Sequence, residues 1–294
     1  MDRYDIYQQI AERTNGDIYI GVVGPVRTGK STFIKRFMDL LVIPNIENSF
    51  ERDRARDELP QSAAGRTIMT TEPKFVPNEA VKIVVGDNIQ LSVRLVDCVG
   101  YLVKNALGQL ENDAPRMVDT PWYDHQIPFN EAAELGTRKV IKEHSTIGLV
   151  VTTDGSITEI GREEYVDAEE KVVSEMMSTG KPFAILLNCA DPTSDETTIL
   201  KNVMEEKYGV PVMPINCARM EQSDIYDIMK TILYEFPVCE IGINVPGWLE
   251  SLEEDDPLKA SLYKAVRESF VDADKLRTVT YCTGRLKDNN FVKL

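Results

Sequence analysis

The stretch GPVRTGKST, residues 24–32, joins two glycines, a lysine and neighbouring hydroxyls at the end of an apolar run. It fits the spacing G-x-x-x-x-G-K-[ST], in which successive backbone N–H groups curl around phosphate oxygens and the following helix adds its positive end. The residues in contact with a nucleoside triphosphate are expected to be Gly24, Pro25, Val26, Arg27, Thr28, Gly29, Lys30, Ser31 and Thr32. Lys30 neutralises the β and γ phosphates, and the Ser31 hydroxyl belongs on Mg²⁺.

Four further stretches complete this chemistry. RLVDCVG places Asp97 at a strand end with Gly100 three residues later, a carboxylate for Mg²⁺ and an N–H for the γ phosphate. GRTIMTTEP holds Thr70 and Thr71, hydroxyls suited to sensing the γ phosphate, with Thr71 also placed to complete the metal shell. NCAD, ending with Asp191, and NCAR, beginning with Asn216, close two later strands where a base is read, so Asn188, Asp191 and Asn216 are assigned to the base. Cys189 stands where guanine-binding switch proteins carry lysine, which leaves the base open on the residues alone. Tyr101 follows Gly100 where a water-positioning glutamine or histidine is expected. A phenol is a poor base at neutral pH, so hydrolysis is expected to be slow without a group from a partner or a second copy. His125 and His144 are isolated and lack metal-ligand spacing.

These residues need strands that end together and helices that follow them. DIYIGVV before the phosphate loop and KSTFIKRFMDLLV after it supply the required strand and helix. VKIVV and LSVRLVD read as a hairpin; IGLVVTT, KPFAILLN and VPVMPI read as buried strands, each followed by a helical segment. The predicted architecture is α/β, with a mostly parallel sheet covered by helices on both faces. A short amphipathic helix is predicted over residues 4–13, and residues 44–73 read as a long functional loop. Residues 101–131, rich in proline and aromatics, read as an insertion. The rhythm changes at Pro237, which divides a nucleotide-binding domain, 1–237, from 238–294, a strand-like piece and a helix that begin a second domain.

Composition sets outer limits. The 294 residues carry 33 basic and 48 acidic side chains, a net charge of −15. That charge opposes a general nucleic-acid or anionic-membrane surface. No apolar run approaches the roughly 18 residues of a membrane span, and no signal segment opens the chain, so a cytoplasmic location is expected. Five cysteines without a C-x-x-C pair read as reduced.

Beyond these motifs, AERTNGDIYIGVVGPVRTGKSTFIKRFM, RARDELPQSAAGRTIMTTEPKFVPNEA, RLVDCVGY, YEFPV and the long run from PRMVDTPWYDHQIPF to TTDGSI resemble one family, stage IV sporulation protein A, the ATPase of the bacterial spore coat. The resemblance runs over essentially the whole chain. It implies a P-loop domain related to translation-factor GTPases that uses ATP and Mg²⁺, with Lys30, Asp97, Thr70 and Thr71 as its hydrolytic residues. It also implies that hydrolysis drives self-assembly into a static polymer, the basement layer of the coat at the forespore surface. Family members are longer; their C-terminal domain binds a small amphipathic membrane anchor, stage V sporulation protein M, and coat proteins. By that comparison the chain looks truncated. The alternatives from other classes are a GTPase switch in ribosome assembly or signalling, which NCAD favours, and a small-molecule kinase, for which no acceptor base or lid is evident.

Overall fold

In the computed structural model, which describes residues 3–60, 73–85, 89–103, 110–111 and 114–287, each long apolar run of the sequence is a strand. In chain order the strands are β1 (Asp17–Val23), β2 (Lys74–Val85), β3 (Ile89–Asp97), β4 (Leu110–Glu111), β5 (Ala114–Pro115), β6 (Met117–Thr120), β7 (Tyr123–Pro128), β8 (Ile147–Thr153), β9 (Phe183–Asn188) and β10 (Val212–Ile215). The α-helices are α1 (Arg3–Thr14), α2 (Lys30–Phe37), α3 (Ser49–Asp57), α4 (Phe129–Glu143), α5 (Arg162–Ser178), α6 (Asp195–Tyr208), α7 (Gln222–Tyr234), α8 (Gly247–Glu250), α9 (Pro257–Ser269) and α10 (Leu276–Lys287). The chain forms two compact units, residues 1–232 and 233–294.

The first unit is built on a six-stranded sheet in the order β10-β9-β8-β1-β3-β2. All its pairings are parallel except β2 with β3, the expected hairpin at the edge. Every residue of β8 and of β9 is buried, the pattern of strands covered on both faces. Val140 and Ile141 of α4, Val172 and Met176 of α5, and Met204 and Tyr208 of α6 share one core with Val96, Val150 and Ile185 of the sheet. Helices α1 and α2 pack on β1 and β3, burying Ile6 and Ile10, and Phe33 and Phe37. Parallel neighbours bring the C-terminal ends of β1, β3, β8 and β9 to one edge of the sheet. Val22 pairs with Asp97, Val23 with Val150, and Thr153 with Asn188.

Several elements differ from the sequence reading. Residues 44–73 are not one irregular loop: α3 forms there, capped by the Asn48 carboxamide oxygen, which accepts the N–H groups of Phe50 and Glu51. Its polar composition hides it, because only Ala55 of the helix is buried and a periodic apolar stripe is missing. Residues 101–131 carry two short hairpins, β4–β5 and β6–β7. In the second unit no strand follows Pro237 among the described residues; an isolated bridge between Pro237 and Lys275 stands instead, and α10 occupies residues for which the sequence predicts no element. The buried Glu235 carboxylate holds that unit together by pairing with Lys275 at 2.7 Å and Arg277 at 3.1 Å.

A buried ion pair fixes the far side of β8. Glu169 of α5 is fully buried; its carboxylate accepts from Arg162 at 2.7 Å and from the Tyr208 hydroxyl at 2.8 Å, and Thr152 of β8 also donates to it. Removing one member strands the others without solvent. Glu169→Ala is expected to destabilise the first unit by about 3–5 kcal/mol in denaturant unfolding, whereas replacing Arg162 and Glu169 together by apolar residues recovers most of that stability. A single-mutant effect below about 1 kcal/mol contradicts the assignment.

Candidate nucleotide site

The phosphate loop leaves β1 and is held in a shape that few sequences can adopt. Gly24 has φ +142°, and a Cβ there would lie 2.1 Å from the Val151 carbonyl oxygen of β8. Arg27 is left-handed at φ +63°, which costs a non-glycine residue roughly 1–2 kcal/mol. Surrounding bonds offset that strain: the Val26 N–H donates to the Tyr101 carbonyl at 2.9 Å, and the buried Thr28 hydroxyl donates to the Pro25 carbonyl at 3.0 Å. Gly29 caps α2, whose first turn carries no acidic residue. The free N–H groups of that turn and the helix dipole therefore favour an anion.

Lys30 is buried inside the loop. Its ammonium donates to the carbonyl oxygens of Pro25 at 2.6 Å and Gly24 at 3.3 Å. Burial pulls its pKa below the ordinary lysine value, against the opposing pull of Cys98 and Asp97. The Asp97 carboxyl is pushed up by the same burial, countered by the Ser31 hydroxyl and by Lys30. The Ser31 hydroxyl donates to Asp97 Oδ2 at 2.6 Å, while Asp97 Oδ1 is buried with no hydrogen-bond partner. A buried orphan carboxylate oxygen costs free energy until something positive meets it. Gly100, at φ +90°, closes the site: a Cβ there would sit 2.0 Å from the Gly24 carbonyl oxygen and 2.7 Å from Lys30 Nζ. Phosphate loop, Lys30, Ser31, Asp97 and Gly100 are thus brought together. Thr70 and Thr71 lie outside the described residues.

The residues assigned to the base are placed differently. The Asn188 amide nitrogen donates to the Thr28 carbonyl at 3.0 Å, and its oxygen accepts the Cys217 N–H at 3.0 Å. Both ends of that side chain are bonded to backbone, so Asn188 braces the phosphate loop against the ends of β9 and β10. Asn216 is likewise bonded to Ala190, Ala218 and Arg219. Asp191 is bonded to Thr193, which holds its carboxyl below the usual range. Asp191 and Asn216 line a surface cleft of about 580 Å³ with Pro192, Ile215 and Arg219. Cys189 is buried, its thiol directed at the Ile215 carbonyl and pushed up to about 11 by burial.

Tyr101 turns away from the site. Its ring joins the core, and its hydroxyl lies beside Glu175 of α5 and Arg138 of α4, where burial and Glu175 push its pKa up. His125 rests against Tyr123 and His144 against Phe75. Among the described residues no three His, Cys, Asp or Glu side chains form a metal cluster, and no helix is long and apolar enough to cross a membrane. All five cysteines are free. Sequence reasoning passes over Asp154, Ser156 and Ile157, although an Asp-Gly turn directly after a buried strand repeats the logic that singles out Asp97.

Residues 1–237 match the family model described as "Stage IV sporulation protein A, ATPase domain", and residues 238–294 match the one described as its middle domain. The chain belongs to the stage IV sporulation protein A family. It is 51% identical over 293 residues to stage IV sporulation protein A of Bacillus subtilis (strain 168), covering 100% of this chain and 60% of that one. Its counterpart in Bacillus anthracis is 52% identical over 292 residues, covering 99% and 59%, and that of Clostridioides difficile (strain 630) is 54% identical over 275 residues, covering 94% and 56%. The chain therefore spans about 60% of the length of these family relatives. Among solved structures, a mutation variant of SsGBP aligns with a TM-score of 0.40 and 14% identity, over 78% of this chain and 60% of its own. Residues 1–237 thus correspond to the family's ATPase domain.

The Asn188 brace generates a prediction that separates loop support from base reading. Asn188→Ala leaves the Thr28 carbonyl and the Cys217 N–H without partners, at roughly 1–3 kcal/mol. ATP, GTP and inorganic tripolyphosphate are expected to weaken together by about tenfold or more in equilibrium titration. A change in the ATP to GTP ratio alone contradicts the brace.

Proposed function

We infer that residues 1–237 bind ATP with Mg²⁺ and hydrolyse it, as a P-loop domain of the translation-factor-related type. In this reading 238–294 form part of the middle domain. The observation that carries it is the constellation of buried Lys30 and Gly100 with half-buried Ser31 and Asp97 around the phosphate loop. A buried ammonium held only by two carbonyls gains much more from phosphate oxygens, because charge-assisted bonds are about twice as strong as neutral ones. The same movement frees the Gly24 and Pro25 carbonyls and lets the loop's N–H groups face the anion. Ser31 and the orphan oxygen of Asp97 fit a divalent cation of hard, oxygen-seeking character. Such a cation would neutralise charge on the β and γ phosphates. Gly100 lies close to Lys30, and in this reading its N–H meets the γ phosphate.

Hydrolysis on this arrangement is slow in an isolated copy. Tyr101 is sequestered against Glu175 and Arg138, so it neither orients nor deprotonates a water. A second copy or a partner supplies the missing group. That property suits a protein whose hydrolysis changes its own shape, and we assign it self-assembly into the static basement layer of the spore coat. Contacts with a small amphipathic membrane anchor, stage V sporulation protein M, and with coat proteins belong to parts of the longer relatives that this chain does not span. The site is cytoplasmic in the mother cell in this reading. The GTPase-switch reading draws little from Asn188, which is bonded to backbone on both sides, and rests on Asp191, which lines the surface cleft.

Two substitutions separate binding from turnover. Lys30→Ala is expected to lower ATP affinity by at least 100-fold, on the order of 3 kcal/mol for removal of a charge-assisted bond. Asp97→Ala is expected to keep ATP binding within about tenfold of wild type and to abolish phosphate release. Unchanged affinity in the first variant, or wild-type phosphate release in the second, contradicts these roles.

A further inference from the structure

The loop after β8, residues 154–161, lies against the phosphate loop and is braced from both sides. Gly155 turns it at φ +91°. The Asp154 carboxylate accepts the Ser156 backbone N–H at 2.9 Å and the Ser156 hydroxyl at 2.6 Å. The Ser156 oxygen in turn accepts the Ala190 N–H at 2.9 Å, which binds this loop to NCAD at the end of β9. The next residue is Ile157. Its Cδ1 lies 4.0 Å from the Cβ position of Gly29, yet 37% of the residue is exposed.

An aliphatic side chain held open to solvent on a pinned loop, beside a helix N-terminus that gathers phosphate, is apolar surface set next to a charged site. Ligand sites commonly combine these two features. Of the three side chains that the sequence offers for the base, Asp191 and Asn216 line the surface cleft and Asn188 is held against the phosphate loop. Cys189 is buried toward Ile215, and Asn188 braces Thr28 and Cys217.

We propose that Ile157 is the apolar wall of the base subsite, packing its methyl groups on the face of a purine whose phosphates lie in the Gly24–Gly29 loop. This rests on the nucleotide-binding reading of that loop. Asp154 and Ser156 are positioning residues that hold Ile157 in place through Ala190. An aliphatic wall offers no hydrogen-bonding group, so it holds adenine and guanine alike. Discrimination between them falls to other groups.

The test measures equilibrium dissociation constants of the whole chain for Mg²⁺ with ATP, GTP and inorganic tripolyphosphate, in wild type, Ile157→Ala and Ile157→Leu. Ile157→Ala is expected to weaken ATP and GTP alike, on the order of 5- to 20-fold, because the truncated side chain no longer covers the base. Tripolyphosphate is expected to stay within about twofold, and Ile157→Leu to retain most of the nucleotide affinity. Thermal melting of Ile157→Ala is expected to match wild type, since the residue is partly exposed. Unchanged ATP affinity in Ile157→Ala overturns the proposal, and so does an equal weakening of tripolyphosphate. Failure of the underlying reading looks different: wild type then binds neither ATP nor tripolyphosphate.

Discussion

The buried ammonium of Lys30 is the constraint on which the rest of the site depends. A lysine this deep is unfavourable unless several groups face it. Two carbonyl oxygens of its own loop do so, with the Asp97 charge close behind. Both carbonyls point inward only because the chain passes through positive φ at Gly24, Arg27 and Gly29. The loop is therefore built around a cation that it satisfies only in part. Asp97 mirrors this on the other side, a half-buried side chain with one carboxylate oxygen bonded to Ser31 and the other buried and orphaned. Two under-satisfied opposite charges side by side are a stored preference for a ligand carrying both anionic oxygens and a cation.

Strand order converts this local chemistry into a site. β1 lies between β3 and β8, so the loop leaving β1 meets Asp97 and Gly100 on one flank and the loop after β8 on the other. Asn188, from β9 one strand further out, reaches back to Thr28. The closeness is severe: a single methyl group at Gly24 or at Gly100 would overlap a neighbouring carbonyl oxygen. On the far side of β8, Thr152, Arg162, Glu169 and Tyr208 lock the strand to α5 and α6. The base of the phosphate loop thus rests on a strand whose position is fixed from behind.

Much of this is legible in the sequence because the needed residues are rare in combination. Glycine, lysine and hydroxyl spacing announces the phosphate loop, and long apolar runs announce buried parallel strands. Helix α3 is not legible, since a nearly fully exposed helix has no apolar stripe to declare it. No element is predicted over the α10 segment for a related reason: it is short, threonine-rich and interrupted by Gly284. The orientation of Tyr101 is hidden too. Its position after Gly100 suggests a place at the reaction, but only packing shows that the ring belongs to the core with Val26 and Tyr165. Asn188 illustrates the same limit, because a residue type suited to reading a base is equally suited to bridging two backbone segments. Spacing fixes where a side chain starts; the neighbouring strands decide which way it points.

The most direct measurement of the central claim is a crystal structure of this chain with Mg²⁺ and a non-hydrolysable ATP analogue. The account predicts that Lys30 Nζ leaves the Pro25 and Gly24 carbonyls for the β and γ phosphate oxygens, with Ser31 and Asp97 turned to the cation. An analogue bound elsewhere, with Lys30 still on the Pro25 carbonyl and Ser31 still on Asp97, would contradict it.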